Sequence, residues 1–194
     1  MEYNNKNILI LGQPRSGKTT LARMIYANSN QYSLISLDHL RGTFAEVYPE
    51  LGISSNSDER LYNAFSLFVS TFLKKASKKD KNILYIIEGC DITFEKAMEL
   101  FNTEDNFIVF MGKTELSVEE MFDNVRYYDG ITNAWTTERS DEELKIWIKD
   151  YIRISCDNQR KCSENNILFL DTSHDYDKKI QELASKFVEG KVKK

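Results

Sequence analysis

An eight-residue stretch near the amino terminus constrains the fold of this 194-residue chain more than any other feature. Residues Gly12 to Thr19 fit the pattern G-x-x-x-x-G-K-[ST], after an apolar run, Ile8 to Leu11, and before a helical apolar pattern that begins at Leu21. Glycines at both ends allow consecutive backbone N–H groups to point at a polyphosphate, where the helix dipole is also positive. The sequence therefore predicts a strand, a phosphate-binding loop and a helix. An ordinary strand-to-helix turn would not account for the Gly-Lys-Thr ending.

The side chains of this loop have distinct expected roles. Lys18 supplies a point charge for the β- and γ-phosphates of a nucleotide, and the Thr19 hydroxyl is a ligand for Mg²⁺. The predicted nucleotide-binding residues are Gly12, Gln13, Pro14, Arg15, Ser16, Gly17, Lys18, Thr19 and Thr20.

Five apolar runs alternate with helical patterns along the chain. Because buried parallel strands are apolar on both faces, the runs predict strands near residues 7–11, 32–37, 82–87, 106–111 and 167–170. The expected fold is α/β, with a five-stranded parallel sheet and helices on both faces. We expect a single domain over residues 1–194, because a chain of this length suits one core.

Charged residues follow the second and third predicted strands. Asp38 and Arg41 come after the second strand, and Glu88 comes after the third. Ligands of open α/β sheets collect beyond the carboxyl ends of the strands, so these residues are candidates for contacting a substrate. Glu88 is also a candidate for holding Mg²⁺ beside Thr19. The structural alternatives are a loop carboxylate paired with a nearby arginine and a helix-capping acid.

Two Ser-x-x-Glu capping boxes, at Ser117 and Ser140, predict the starts of two helices. The polar segment between these helices, residues 127–139, contains a glycine. This arrangement predicts a small helical lid at approximately residues 123–150. Three arginines lie on or beside it: Arg126, Arg139 and Arg153.

The bulk composition narrows the classes of protein. A net charge of −4 argues against a broad basic face for nucleic acid. The longest mainly apolar stretch, residues 61–73, is interrupted by polar residues and is too short for a membrane span. Three cysteines without a C-x-x-C pair fit a reducing cytoplasm, and the amino terminus leaves no room for a secretory signal. We therefore expect a cytoplasmic protein with no nucleic-acid, membrane or obligate protein partner.

Together these residues resemble the P-loop nucleotide and small-molecule kinases, the adenylate kinase-like group that includes shikimate and gluconate kinases and zeta-type toxins. The resemblance implies ATP as the phosphoryl donor, with Mg²⁺, and a small-molecule acceptor. It implies that Asp38 binds or deprotonates the acceptor hydroxyl and that Arg41 anchors an anionic part of the acceptor. Glu88 would replace the aspartate of the family's hydrophobic-Asp-Gly segment.

The same resemblance extends to the lid and to the last strand. Arg126, Arg139 and Arg153 resemble the lid arginines that close over the transferring phosphoryl group, which would make them catalytic together with Lys18. Residues 171–174 resemble the loop that packs against adenine, which implies nucleotide contacts for Asp171 and Thr172.

One segment departs from the family pattern. Nucleoside monophosphate kinases usually place Pro-Arg shortly after the Asp-Gly segment to grip the acceptor phosphate, whereas this chain has Cys90-Asp91-Ile92-Thr93 after Gly89. The departure favours a hydroxyl-bearing metabolite or sugar-like acceptor over a nucleoside monophosphate.

Our functional hypothesis is transfer of the γ-phosphate of ATP to a hydroxyl or phosphate of a small molecule. A nucleoside or nucleotide kinase is the first alternative. A nucleotide-hydrolysing switch is less favoured, because the sequence has neither an Asn-Lys-x-Asp nor a Ser-Gly-Gly-Gln motif. The last alternative is a nucleotide sensor that has no catalytic activity.

Overall fold

The apolar runs form a five-stranded sheet in which every neighbouring pair is parallel. The structure, a computed structural model, describes residues 5–51, 59–79, 83–129, 131 and 136–188. The order across the sheet is β2-β3-β1-β4-β5. The strands are β1 (Asn7–Gly12), β2 (Tyr32–Ser36), β3 (Leu84–Gly89), β4 (Asn106–Gly112) and β5 (Leu168–Asp171).

Helices connect the strands and cover both faces of the sheet. They are α1 (Lys18–Ala27), α2 (Leu37–Val47), α3 (Glu59–Lys79), α4 (Phe94–Leu100), α5 (Val118–Asp129), α6 (Asp141–Glu164) and α7 (Tyr176–Val188). A short 3₁₀ turn, Pro49–Leu51, follows α2. Within the described residues, no helix combines the length and the apolar character that crossing a bilayer requires.

Alternating residues of β1 divide the core into two layers. Leu9 and Leu11 pack in a cluster with buried residues of α2, α3, α4 and α6. Ile8 and Ile10 point to the opposite face and pack with α1 and α7. A strand presents successive side chains to opposite faces, so an apolar strand needs helices on both sides. The predicted fold class, a parallel α/β sheet covered on both faces, is confirmed.

The strand register places the carboxyl ends of the strands at one edge. Glu88 pairs with Ile10 of β1 and with Ser36 of β2, so it lies between the phosphate-binding loop and the start of α2. Glu88 belongs to β3 itself, whereas the sequence predicted that the strand ends before it. The register thus brings the charged residues of two strand ends beside the loop.

The segment after β2 is helical, where the sequence predicted a strand end and an irregular stretch. Helix α2 begins at Leu37 and continues through Gly42 to Val47. Leu37 is part of the buried core, and Leu40 and Phe44 pack against it. These contacts outweigh the low helix propensity of glycine. Because Asp38 and Arg41 are three residues apart on this helix, they share one face.

Helices α5 and α6 pack together through a small separate cluster of Met121, Val125, Leu144 and Ile148. Both predicted capping boxes are present: Ser117 and Ser140 each accept a hydrogen bond from the backbone N–H three residues later, and the glutamate there accepts one in return. The sequence also indicates a helix start near residues 57–59, through acidic residues in its first turn. Residues 57 and 58 and the middle of the predicted lid, residues 130 and 132–135, lie outside the described residues. The lid itself stays a prediction.

Candidate active site

The phosphate-binding loop between β1 and α1 has backbone conformations that require glycine at both ends. Gly12 has φ +129° and Gly17 has φ +96°. A Cβ atom at Gly12 would lie 2.0 Å from the carbonyl oxygen of Met111, and one at Gly17 would lie 2.7 Å from the Tyr176 ring. The left-handed conformation and the close neighbours both exclude a side chain. The two glycines of the motif are therefore structural requirements of this loop.

Three polar side chains of the predicted site meet at the start of α1. Lys18 Nζ donates a hydrogen bond of 2.7 Å to the carbonyl oxygen of Gln13, which holds the ammonium group over the loop. The Thr19 hydroxyl donates to Glu88 Oε2 at 3.1 Å. Glu88 is only 2% exposed, so its carboxylate points into the site from the buried end of β3. The structure thus brings together the predicted phosphate-binding cation and both predicted metal ligands.

The oxygen pair formed by Thr19 and Glu88 fits a magnesium ion. Mg²⁺ prefers oxygen ligands at about 2.0–2.1 Å in octahedral geometry, so adjacent ligands lie roughly 3 Å apart. The two side-chain oxygens are 3.1 Å apart. A hydroxyl and a carboxylate that share such a position beside a phosphate-binding loop are suitable ligands for the ion.

Residues at the end of β5 and directly after it stabilise the phosphate-binding loop. Thr172 is fully buried, and its hydroxyl donates to the carbonyl oxygen of Ser16 at 2.9 Å. Lys113 Nζ donates to the Thr172 carbonyl oxygen at 2.7 Å. Asp171 accepts hydrogen bonds from the Thr114 hydroxyl and from the Ser173 N–H. Thr172 therefore stabilises the phosphate-binding loop through its hydrogen bond to Ser16. The expected adenine contacts of Asp171 and Thr172 stay predictions.

Hydrogen bonding and burial shift the pKa values of two of these residues, Asp171 and Lys113. Burial acts to raise the pKa of Asp171, but the hydrogen bonds from Ser173 and Thr114 outweigh it and hold the pKa below its usual value. Burial lowers the pKa of Lys113, and the negative charge of the nearby Asp171 acts against this shift. Asp171 is therefore held as a carboxylate that organises the turn after β5.

A cleft of about 380 Å³ opens beside the Thr19–Glu88 pair. Four elements contribute to its wall, namely α1, β2, α2 and β3. The lining residues are Thr19, Arg23, Tyr26, Leu34, Ser36, Asp38, His39 and Glu88. The cleft is thus continuous from the predicted metal ligands to the predicted acceptor-binding carboxylate. Arg23, Tyr26 and His39 were not singled out from the sequence, because no motif marks the outer face of a helix as the wall of a cleft.

Arg41 forms ion pairs on both sides. Its Nη2 lies 3.1 Å from Asp38 Oδ1, and its Nη1 lies 3.1 Å from Asp91 Oδ1. The Asp38 side chain is half exposed, whereas that of Asp91 is 1% exposed. Burial raises the pKa of Asp91 above its ordinary value, an effect that Arg41 opposes. Asp91 belongs to the segment that departs from the family pattern. Its pairing with Arg41 was not predicted from the sequence and is seen only in the structure.

Cys90 lies beside the two aspartates of this group, and its Sγ and one oxygen of each aspartate are within 4.8 Å of one another. The Sγ is 3.9 Å from Asp38 Oδ1, and the residue as a whole is partly exposed. Burial raises the pKa of the Cys90 thiol to about 11, with the positive charge of Lys18 acting against the shift. The neutral thiol is therefore the dominant form at neutral pH.

We expect Cys90 to alkylate slowly at neutral pH. Since only the thiolate is nucleophilic, a rise of the pKa from 9.0 to about 11 makes the reactive form about a hundredfold scarcer at pH 8. The rate should increase about tenfold per pH unit up to about pH 11. The measurement is the pH dependence of iodoacetamide modification, with the Cys90 peptide identified by mass in a Cys156→Ser background. A plateau near pH 9 would contradict the assignment.

The loop is also bridged to the end of α5. Arg15 Nη2 donates to Asp129 Oδ1 at 2.7 Å and to the Thr136 hydroxyl at 2.8 Å. The Asp129 side chain is 5% exposed, and Arg15 has a left-handed φ of +62°. This bridge was not predicted, because a loop arginine and a helix-terminal aspartate carry no spacing signal. It fixes the beginning of the predicted lid against the phosphate-binding loop.

The three predicted lid arginines have different surroundings. Arg126 donates to the carbonyl oxygens of Thr136 and Arg139 at 2.9 and 2.7 Å and pairs with Asp141 at 2.7 Å. The Arg139 guanidinium lies over the Trp147 ring, 4.1 Å from its centroid. Arg153 is exposed and pairs with a residue of its own helix. The structure thus places Arg126 and Arg139 together and Arg153 apart, further along α6.

A parallel α/β sheet of order 2-3-1-4-5, with a phosphate-binding loop after its first strand, has the P-loop fold of the adenylate kinase-like type. Among solved structures, the chain is similar to a gluconokinase from Sinorhizobium meliloti 1021, with a TM-score of 0.57 and 13% identity over 95% of this chain and 93% of that one. It is also similar to a shikimate kinase from Acinetobacter baumannii in complex with shikimate, with a TM-score of 0.53 and 18% identity over 97% and 96% of the two chains.

The comparisons of sequence gave no match. No family model matches the chain, and no curated protein matches it at a significant level. Structural similarity at these low identities shows a shared fold, so the expected resemblance to P-loop small-molecule kinases is confirmed at the level of the fold.

Proposed function

We propose that this protein is an ATP-dependent phosphotransferase that moves the γ-phosphate to a hydroxyl of a small-molecule acceptor. One observation carries the proposal: the Thr19–Glu88 pair, 3.1 Å apart, joins the phosphate-binding loop to a cleft that also contains Asp38. The folds of the two structural neighbours support it, since both proteins are kinases by name and one was determined with shikimate.

In this proposal the loop holds the triphosphate. The backbone N–H groups between Gly12 and Thr20, other than at Pro14, which has none, face the phosphates at the positive end of α1. Lys18 gives up its hydrogen bond to Gln13 and places its charge on the β- and γ-phosphates. The Ser16 hydroxyl is buried without a hydrogen-bond partner among the described residues, which supports a ligand for this loop. Asp171 and Thr172 organise the turn on the adenine side.

Thr19 and Glu88 are the residues that would hold Mg²⁺. The ion would supply positive charge that offsets the charge on the phosphoryl oxygens during transfer. Glu88 is buried within β3, so its carboxylate keeps a fixed direction while the ligands change.

Asp38 is the proposed base. It lines the cleft with Glu88, and its half-exposed carboxylate is accessible to an acceptor. In the transfer step the acceptor oxygen forms a bond to the γ-phosphorus while the bond from that phosphorus to the β–γ bridging oxygen breaks. The hydroxyl proton passes to the Asp38 carboxylate, and ADP leaves.

Arg126, Arg139 and Arg153 are the proposed lid arginines. In the present structure Arg126 is held by the segment that it would close, through the carbonyl oxygens of Thr136 and Arg139. Closure over the γ-phosphate would bring their charge to the phosphoryl oxygens, where preorganised cations lower the barrier to transfer. Arg126 is the best placed of the three, because the Arg15–Asp129 bridge already holds its helix against the loop.

The test is incubation of the purified protein with Mg·ATP and a panel of sugars, sugar acids, cyclitols, nucleosides and nucleoside monophosphates, followed by ³¹P NMR. We expect ADP and a new phosphate ester, both dependent on one class of acceptor. Inorganic phosphate formed at the same rate with every compound would instead identify a nucleotide-hydrolysing switch. Binding of ATP without turnover would identify a nucleotide sensor, and transfer restricted to nucleosides or their monophosphates would identify a nucleoside or nucleotide kinase.

A further inference from the structure

The protein already balances the charge of Arg41, which pairs with the cleft residue Asp38. One nitrogen of its guanidinium group faces Asp38 and another faces Asp91, each at 3.1 Å. An acceptor anion that bound Arg41 would add a third negative charge to a group already paired with two carboxylates, unless it replaced one of them. Because Asp38 is also the proposed base, displacement at that side would remove the base from its position.

Displacement at the other side would be more costly. The Asp91 side chain is 1% exposed, and its Oδ2 has no hydrogen-bond partner among the described residues. A buried carboxylate that loses the arginine to which it is hydrogen-bonded is left without close compensation of its charge in a poorly solvated place. Arg41 therefore remains with Asp91, and the pair acts as one neutral unit.

The remaining charges around the cleft leave a negative balance. Asp38 and Glu88 line it, and Arg23 is the arginine on its α1 wall. Arg23 is exposed, and ion pairs in contact with water contribute little to binding. Lys18, the other cation nearby, faces the phosphates in the proposed complex. With nucleotide bound, Mg²⁺ at Thr19 and Glu88 and the charge of Lys18 would offset part of the phosphate charge. The carboxylate that an acceptor then meets is Asp38, whose neighbouring Arg41 is shared with Asp91.

This inference rests on the proposed function and concerns the class of substrate. We infer that the acceptor is an uncharged or cationic hydroxyl compound, a polyol or an amino alcohol. The Asp91–Arg41 pair excludes carboxylates and phosphate esters from the acceptor position. Arg41 is then a specificity-determining residue that positions Asp38. This differs from the role that the family resemblance implied, in which Arg41 anchors an anionic part of the acceptor.

The first test measures the charge preference of the cleft without a substrate. Cys90 adjoins Asp38, so it is modified with two methanethiosulfonate reagents, one cationic and one anionic, in the Cys156→Ser protein with magnesium and a non-hydrolysable ATP analogue. Their rate ratio is normalised to the ratio for a small thiol. We expect the cationic reagent to react about tenfold faster, as focusing of charge in a cleft predicts. An equal or faster anionic reaction would overturn the inference.

Variants separate the Asp91–Arg41 pair from the general charge of the protein. Asp91→Asn keeps the shape of the side chain and removes its charge, so it should reduce the reagent ratio severalfold. Glu46→Gln is the matched control, because it removes an exposed charge from the same helix as Arg41, and it should leave the ratio unchanged. If Asp91→Asn unfolds, as monitored by thermal melting, the matched acceptors of the second test decide the question with the wild-type protein.

The second test uses matched acceptors that share a carbon skeleton and differ in charge, namely neutral, amino and acid forms of the same sugar. We expect kcat/KM for the acid form to be at least about tenfold below that for the neutral form, and Asp91→Asn to narrow the gap. Preferential transfer to acids, abolished by Arg41→Gln, would refute the inference but leave the phosphotransferase function intact. Absence of transfer to any compound, with a reagent ratio that favours the cation, would refute the proposed function instead.

Discussion

Replacing Lys18 with alanine is expected to lower turnover by roughly 10²–10³, the loss typical of one preorganised charge-stabilising group. Lys18 is the first residue of α1, and its ammonium group is held over the loop by the Gln13 carbonyl oxygen. Without this group the charge that develops on the phosphoryl oxygens loses its nearest protein cation. Alanine is the best helix former, so α1 should remain intact. The measurement is the rate at saturating ATP, together with thermal unfolding.

Lys178→Ala is the matched control for this variant. It removes one exposed lysine from α7 and should change neither rate nor stability. If Lys18→Ala kept the wild-type rate while calorimetry confirmed nucleotide binding, Lys18 would have no part in the chemistry.

The second large effect is expected for Asp38→Asn, which should lower kcat by roughly 10²–10⁴, the usual contribution of a general base. Asparagine preserves the size of the side chain but cannot accept the hydroxyl proton. Arg41 keeps its ion pair with the buried Asp91, so α2 should hold its position. Affinity for ATP should change little, because Asp38 lies at the acceptor side of the cleft.

The split between kcat and KM separates this role from simple acceptor binding. A base acts in the transfer step itself, so Asp38→Asn should lower kcat and leave the KM for the acceptor nearly unchanged. Glu46→Gln on the same helix should retain both wild-type constants. A raised KM with an unchanged kcat would assign Asp38 to acceptor binding alone.

Where the sequence prediction was accurate, the signal was local. The two capping boxes at Ser117 and Ser140 depend on residues three apart, and both form as expected. The strands were found because burial on both faces leaves a continuous apolar run. The prediction was wrong for the segment after β2, where the sequence indicated a strand through residue 37 and an irregular stretch at residues 43–49, and the structure has helix α2. Packing of Leu37 and Phe44 against the core stabilises the helix there.

The amino-acid sequence by itself determined the phosphate-binding loop and the parallel α/β sheet, because both depend on backbone geometry and burial patterns within a few consecutive residues. Only the tertiary structure decided which side chains share the candidate site. Arg15 meets Asp129 across 114 residues, and Arg41 meets Asp91 across 50. Such partners are set by strand order and helix packing, for which a single sequence carries no spacing signal. The charge of the cleft, and with it the proposed class of acceptor, therefore follows from the fold.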